Sequence, residues 1–273
     1  MPARYIEVRG NSIYYHYVGA TTLPDVIPDF SRERKIIFVH AAGSNGHAWH
    51  NQLDYLGGSH SPIAFDFPGH GRSSGVEGMK SIGEYADFLA AFADSLEIES
   101  AVIAGRSMGG AVAMEFALRH PARVSALILI ATAAKFTFPA ERLEGLKAVA
   151  AGRVAQSFTN DGYSPKTVAE KFAIVREGWM EQIKTDPRVR YMDTMACAGA
   201  DLREKIGAIQ TPALILAGAD DKITPPSDAE LIARQIRGAR LEIIPDAAHN
   251  LPNEQSSAVN SAIAAFLEEP DRR

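Results

Sequence analysis

Short, nearly continuous apolar runs recur along this chain, and such runs are typical of strands that are buried on both faces. They are IIFV (36–39), IAF (63–65), AVIA (101–104), ALILI (126–130), ALILA (213–217) and LEII (241–244). Ahead of them, RYIEV and SIYYHYV flank Gly10-Asn11, a pair that suits a turn with positive φ. The chain is therefore predicted to begin with a β-hairpin.

Helical patterns lie between several of these strands. In SIGEYADFLAAFADSL (81–96) the apolar residues recur at helical spacing after Ser81, which can act as an N-cap. The stretches DAELIARQI (228–236) and EQSSAVNSAIAAFLEE (254–269) repeat the pattern. Alternating strands and helices predict an α/β fold, with a mostly parallel, doubly wound sheet and helices on both of its faces.

The alternation stops after Ile130, and no strand pattern returns before the run at 213–217. Residues 135–207, here called the inserted segment, carry helical patterns such as ERLEGLKAVAAG, PKTVAEKFAIVREGWMEQI and PRVRYMDTMACAGADLREKI. The segment is too long and too helical for a loop. We therefore predict a core domain of residues 1–134 and 208–273, with the inserted segment as a helical lid between two strands.

Composition narrows the possible partners. The 273 residues are 46% hydrophobic and 22% charged, as in a soluble globular protein with a sizeable core. A net charge of −5 without runs of Lys or Arg gives no electrostatic reason to bind nucleic acid or an anionic membrane. Cys197 is the single cysteine, which excludes an intrachain disulfide and a cysteine-based metal site. We expect neither metal nor cofactor, and assign no oligomeric state.

The chain contains no apolar run near the ~20 residues of a membrane span. Its first residues, MPARYIEVRG, lack the apolar core of a signal peptide. These two observations predict a cytoplasmic protein.

Ser107 lies between a predicted strand and a predicted helix, in Gly105-Arg106-Ser107-Met108-Gly109, which matches G-x-S-x-G. A sharp turn in this context exposes the serine at the end of a sheet, facing the positive end of the next helix. The pattern predicts a catalytic nucleophile, and the alternative is a serine that only caps a strand-to-helix turn.

A serine nucleophile needs a base and an acid that orients the base. Of the eight histidines, His249 follows the late run LEII, in a loop where doubly wound sheets form their sites. We predict it to be the base, the alternative being a surface loop histidine. Asp220 and Asp221 both follow ALILA and fit the chain order Ser…Asp…His, and spacing leaves both open.

Two backbone N–H groups should stabilise an oxyanion beside the serine. We predict those of Met108, directly after the nucleophile, and Ala42, in the loop HAAGSNGHAW.

Candidate substrate contacts are Phe136 and Trp179 in the inserted segment, although apolar residues at helical spacing mostly pack within their own helices. Arg106 could contact substrate or brace the lid. We expect three further arginines to lie on solvated helix faces rather than to bind a substrate carboxylate: Arg176, Arg188 and Arg190.

These motifs together resemble the α/β-hydrolase family along almost the whole chain. FVHAAGSNGHAW resembles the family's His-Gly oxyanion loop, with Ala41 where glycine is usual, and FDFPGHGRS (65–73) resembles its D-x-P-G-H-G-x-S turn. GADDKITPP resembles the acid loop G-x-x-D-x-x-x-P, which implies Asp221 rather than Asp220 as the acid. PDAAHNLPNEQ resembles the histidine loop, with Glu254 in its usual place.

Within the family, residues 201–255 most resemble 3-oxoadipate enol-lactonases and nearby carboxylesterases. The resemblance implies a serine hydrolase that cleaves a small carboxylic ester or lactone through an acyl-enzyme. Alternatives are a carbon–carbon bond hydrolase or a perhydrolase with the same triad, and a ligand-binding scaffold without catalysis. Dehalogenases and epoxide hydrolases carry aspartate at the elbow, and the carbon–carbon hydrolases usually have asparagine where this chain has Arg106.

Overall fold

A single eight-stranded sheet organises the chain, and the computed structural model describes residues 2–20, 23 and 26–269. The strands are β1 (Ala3–Val8), β2 (Asn11–Tyr17), β3 (Lys35–Val39), β4 (Ser61–Phe65), β5 (Ala101–Arg106), β6 (Val124–Ile130), β7 (Ala213–Gly218) and β8 (Arg240–Ile244). Their spatial order is β1-β2-β4-β3-β5-β6-β7-β8. The first two pairings, β1 with β2 and β2 with β4, are antiparallel, and every later pairing is parallel.

Helices cover both faces of this sheet. They are α1 (His50–Leu56), α2 (Ile82–Ser95), α3 (Met108–Arg119), α4 (Ala140–Ala150), α5 (Pro165–Glu170), α6 (Phe172–Gln182), α7 (Pro187–Gly199), α8 (Pro226–Gln235), α9 (Leu251–Glu254) and α10 (Ser256–Glu268). Within the ranges described, none of the helices combines the length and apolarity that crossing a membrane requires.

Alternate residues of the central strands belong to different cores, because successive side chains of a strand point to opposite faces. Ile37 of β3 packs in a cluster with Phe88 and Val112, from α2 and α3. Its neighbour Ile36 packs in a second cluster that contains residues of α1 and α10. Apolar side chains on both faces explain why the parallel strands read as continuous apolar runs in the sequence.

The N-terminal hairpin turns one residue earlier than predicted. Arg9 and Gly10 have φ of 51° and 77°, whereas Asn11 already pairs with Val8 as the first residue of β2. A two-residue turn with positive φ at both positions matches the twist of the strands that it joins. The pairing of Asn11, rather than its tolerance of positive φ, therefore sets the turn.

The inserted segment leaves the sheet after β6 and holds the four helices α4 to α7. Its start and end meet, because Lys135 and Asp201 form a β-bridge and the Leu202 N–H donates to the Ala134 carbonyl at 2.8 Å. The helical pattern predicted from Pro187 extends to Ile206, but the helix itself ends at Gly199, the last residue of α7. The pattern over 165–183 forms two helices, with a break at Lys171.

Candidate active site

Ser107 occupies a strained turn between β5 and α3, with φ 54° and ψ −119°. The neighbouring glycines, Gly105 and Gly109, are required because other backbone atoms lie very close to them. A Cβ on Gly105 would lie 2.1 Å from the Gly109 carbonyl oxygen, and a Cβ on Gly109 would lie 2.1 Å from that of Val39. The elbow therefore packs directly against β3 and its own helix, and only glycine leaves room for that packing.

His249, in the loop after β8, lies between Ser107 and Asp221. Its Nε2 is 2.9 Å from Ser107 Oγ, and its Nδ1 is 2.9 Å from Asp221 Oδ2. Because an ionised carboxylate can only accept, Nδ1 carries the proton and Nε2 accepts from the serine hydroxyl. The three residues are 8%, 9% and 3% exposed for serine, histidine and aspartate. Asp220 makes no side-chain hydrogen bond to another described residue.

Asp221 is held in its ionised form. Burial raises the pKa of this carboxyl, but His249 and the hydrogen bonds that Asp221 accepts outweigh burial, so the pKa lies below its ordinary value. Oδ1 accepts from the backbone N–H groups of Ile223 and Thr224 at 2.8 and 3.0 Å, and the Thr224 hydroxyl donates to Oδ2. A charged Asp221 fixes the His249 tautomer that faces Ser107.

The two predicted oxyanion donors belong to a loop that lines the cavity with Ser107 and to the helix that follows the serine. Ala42 lies in the loop after β3 and lines the cavity described below, and Met108 is the first residue of α3. Among the described residues, neither backbone N–H donates to another protein group. Both N–H groups therefore have no protein acceptor there, and Met108 lies at the positive end of α3.

A cavity of about 760 Å³ opens in front of Ser107 and His249. All three predicted substrate contacts, Arg106, Phe136 and Trp179, line it. Other lining side chains come from the inserted segment, among them Phe138, Arg142, Leu146, Tyr163, Ile174 and Arg190. The inserted segment thus forms much of the wall of this cavity. The volume of the cavity suits a small-molecule ligand.

Of the three arginines expected on a solvated helix face, Arg190 differs. It lines the cavity and is only partly exposed, and a Cβ on Gly43 would lie 2.7 Å from its Cγ. Burial lowers its pKa to about 10. Arg188, by contrast, is exposed and paired with Asp186. The helical pattern could not separate them, because which face of α7 meets the oxyanion loop depends on tertiary packing.

Arg106 connects the elbow to the histidine loop. Its Nη1 donates to Asn250 Oδ1 at 2.5 Å, and Asn250 Nδ2 donates to the Gly162 carbonyl in the inserted segment at 3.1 Å. The side chain is 8% exposed, and burial lowers the pKa of its guanidinium. Arg106 thus reaches the inserted segment through Asn250, and because it also lines the cavity, contact with a substrate remains a prediction.

Sequence reasoning missed Asp193, a fully buried residue of α7. Its Oδ2 accepts from the Gly43 N–H at 2.7 Å and from His70 Nε2 at 2.8 Å, and its Oδ1 accepts from the Tyr85 hydroxyl. Burial raises the pKa of Asp193 and lowers that of His70, but the pairing reverses both shifts. The sequence feature that could have pointed to Asp193 is an acidic residue on the apolar face of α7, four residues after the buried Val189.

Glu254 also had no predicted role beyond its place in the motif. It is buried, and its two oxygens accept from the backbone N–H groups of Ala248 at 2.9 Å and Ser164 at 2.7 Å. One carboxylate thus holds the residue before His249 and the N-cap of α5 together. The histidine loop is fixed to the inserted segment at this point.

Residues 31–256 match the Hydrolase_4 family, described as serine aminopeptidase, S33. The chain belongs to this family. This hydrolase is 30% identical over 238 residues to a pimeloyl-[acyl-carrier protein] methyl ester esterase of Neisseria meningitidis serogroup B, covering 84% of this chain and 88% of that protein. It is 26% identical to 3-oxoadipate enol-lactonase 2 of Acinetobacter baylyi, covering 93% and 97%.

Solved structures agree with the family match. A hydrolase from Pseudomonas aeruginosa PA01 superposes on this hydrolase with a TM-score of 0.83 at 27% identity, covering 98% of both chains. The predicted α/β-hydrolase fold is confirmed. Across the residues that the structure describes, no group of three or more His, Cys, Asp or Glu is placed to hold a metal ion.

Proposed function

We propose that this hydrolase cleaves a carboxylic ester or lactone through an acyl-enzyme on Ser107. The observation that carries the proposal is the chain of hydrogen bonds from Asp221 through His249 to Ser107 Oγ, which ends at a cavity of small-molecule size. A hydroxyl is a weak nucleophile until a neighbouring base takes its proton, and His249 is placed to do so.

In the proposed reaction, His249 Nε2 takes the hydroxyl proton as Ser107 Oγ attacks the ester carbonyl carbon. The N–H groups of Ala42 and Met108 stabilise the oxyanion, and Asp221 stabilises the imidazolium. The carbon–oxygen bond to the leaving alcohol then breaks, and His249 returns the proton to that alcohol. Water, activated by His249, attacks the acyl-enzyme, which releases the acid and free Ser107.

We also propose that residues 135–207 act as a lid on a core of residues 1–134 and 208–273. Support comes from the cavity, which lies between the sheet end and the side chains of α4 and α6. Ala196 and Cys197 of α7 pack in the main core, and Asp193 is tied to the oxyanion loop. We therefore assign substrate selection mainly to α4 and α6, whereas α7 supports the oxyanion loop and also contributes Arg190, Thr194 and Cys197 to the cavity lining.

The named relatives support ester chemistry over the alternatives, since one is a methyl ester esterase and another an enol-lactonase. The test is hydrolysis of p-nitrophenyl acetate followed in the first turnover. The proposal predicts a burst of p-nitrophenolate in the wild type, loss of the burst in Ser107→Ala, and a normal burst in Ser125→Ala, which alters an exposed serine of β6.

A full burst in Ser107→Ala would remove Ser107 from the chemistry. The absence of turnover on every ester, with ligand binding unchanged by Ser107→Ala, would make the fold a binding scaffold. A panel of short-chain, aryl and lactone esters then separates esterase from lactonase activity.

A further inference from the structure

The cavity contains a buried guanidinium that lacks an ionic partner. Arg106 has no carboxylate within 4.0 Å among the described residues, and its hydrogen-bond partner is the neutral side-chain amide of Asn250. A buried cation is costly unless it is paired and hydrogen-bonded. The unusual feature is that this cation directly precedes Ser107.

The remaining donors of Arg106 are open to the cavity. A guanidinium carries five N–H groups, and Asn250 uses one of them. Arg106 lines the cavity. None of its side-chain nitrogens is both buried from solvent and without a hydrogen-bond partner. These donors therefore face space that a ligand can enter.

The carboxylates whose charges act on Arg106 already accept hydrogen bonds from other groups. Burial lowers the pKa of Arg106, and Tyr163, Glu254 and Asp221, in that order, raise it; the last two are the carboxylates. Asp221, however, holds His249, and Glu254 holds the N–H groups of Ala248 and Ser164. Neither carboxylate can turn to Arg106 without breaking the contacts that position the histidine loop.

Other charged groups line the same cavity but fit a ligand anion less well. Arg142 is exposed and lies over the Phe138 ring, 5.8 Å from its centroid. Arg190 is on the inserted segment and only partly buried. The lining acids are Asp161, Glu177 and Glu181, and Glu181 is paired with Lys184. Among the three lining arginines, Arg106 is the one that is buried and that belongs to the elbow.

We infer that Arg106 binds a free carboxylate carried by the substrate, so that the preferred substrates are esters or lactones with a second, unesterified carboxyl group. This inference rests on the proposed ester hydrolysis at Ser107. The planar guanidinium can hold both oxygens of a carboxylate, and such charge-assisted pairs are strong where water is excluded. Because Arg106 adjoins Ser107, the bound carboxylate lies a short chain length from the scissile carbonyl.

The experiment compares charged and neutral esters in the wild type and Arg106→Met. One pair carries the charge on the acyl side: mono-p-nitrophenyl glutarate against p-nitrophenyl pentanoate. The other carries it on the alcohol side: 4-carboxyphenyl acetate against phenyl acetate. For the charged ester of whichever pair places its carboxylate at Arg106, we expect Arg106→Met to lower kcat/KM roughly 10- to 100-fold. The neutral member of each pair should lose clearly less than the charged one, so that the charged-to-neutral ratio of kcat/KM falls about 10-fold or more, and Arg106→Lys should recover part of that ratio.

Arg188→Met, at an exposed arginine outside the cavity, is the control and should leave all four esters unchanged. Equal losses on charged and neutral esters in a folded Arg106→Met would make Arg106 a brace only and overturn the inference. Loss of the charged-ester preference in Arg190→Met but not in Arg106→Met would also overturn it.

A binding measurement separates this inference from the proposed reaction. Calorimetry with Ser107→Ala and monomethyl glutarate should show binding that Arg106→Met, added to the same protein, weakens at least tenfold. Tight binding that is independent of Arg106 contradicts the inference, whatever the turnover. Ser107-independent hydrolysis of the neutral esters contradicts the proposed function, while the calorimetric result still decides the anion site.

Discussion

Asp193 on α7 accepts a hydrogen bond of 2.7 Å from the backbone N–H of Gly43, in the loop after β3. The same oxygen accepts from His70 at 2.8 Å, so a buried ion pair supports the loop. Gly43 directly follows Ala42, whose N–H is a proposed oxyanion donor. Asp193, which does not itself line the cavity, therefore holds the peptide group that directly follows the proposed donor.

Asp193→Asn should impair catalysis more than substrate binding. Asparagine keeps the size but cannot pair as an anion with His70, so the loop at Gly43 loses its fixed position. We expect kcat for p-nitrophenyl acetate to fall roughly 10- to 100-fold, less than the 10²–10³ of a deleted oxyanion donor. KM should change little. Urea unfolding should show a loss of about 3–5 kcal/mol, typical of breaking a buried pair.

The control for that variant is Asp201→Asn, which alters an exposed acid paired with Arg203. Its kcat and unfolding curve should match those of the wild type. An Asp193→Asn enzyme with normal kcat would show that Gly43 is held without Asp193.

The two adjacent aspartates after β7 should differ sharply. Asp221→Asn keeps the shape of the site but favours the wrong His249 tautomer, and in serine proteases the equivalent change costs about 10⁴ in kcat. We expect a loss of similar size here. Asp220→Asn, one residue away and without a side-chain hydrogen bond among described residues, should retain full kcat. Comparable losses in both variants would reject Asp221 as the specific partner of His249.

The main strands and the elbow were predictable because their signals are local. Apolar runs mark strands covered on both faces, and the glycines around Ser107 mark a turn whose neighbours come within van der Waals contact. Chain order then limited the acid to Asp220 or Asp221. The motif resemblance pointed to Asp221, and this is the residue that contacts His249.

The supporting residues were not predictable because their partners are remote in sequence. Asp193 meets His70 across 123 positions and Gly43 across 150, and no spacing rule links them. Glu254 joins Ser164 to the histidine loop only once the inserted segment has packed. The N-terminal turn shifted for a related reason, since strand pairing placed Asn11 opposite Val8.

Glycines in the elbow and in α4 should respond oppositely to alanine. In Gly109→Ala the new Cβ meets the backbone oxygen of Val39, which cannot rotate away, so we expect destabilisation of about 1–3 kcal/mol or more. In Gly145→Ala the Cβ meets nothing within 4 Å, so α4 should gain about 0.5–1 kcal/mol. Urea unfolding of both variants tests this, and a neutral Gly109→Ala would contradict the tight elbow.

Buried His40 should make the protein less stable in mild acid. Burial and the charge of His70 lower its pKa to about 3, and its Nε2 accepts from the Phe67 N–H as a neutral ring. In the unfolded chain the same ring binds a proton near pH 6.5. Between about pH 3 and 6.5 the unfolded state therefore binds more protons, so the free energy of unfolding decreases as pH falls.

Urea unfolding between about pH 7 and 4 measures this dependence. His40→Gln keeps an acceptor without the titration, so its stability should decline less steeply than that of the wild type over this range. Equal slopes would show that His40 is not held neutral in the folded protein.

The central claim is that Ser107 forms a covalent acyl intermediate. Acid-quenched enzyme, taken within the first turnover of p-nitrophenyl acetate, can be digested and analysed by mass spectrometry. We predict one acetyl group on the peptide that contains Ser107 in the wild type, and none at this position, at the same quench times, in Ser107→Ala or in His249→Ala, which lacks the base that activates the serine. Continued turnover with no acyl group on Ser107 at any quench time, or with the acyl group on another residue, would contradict the account.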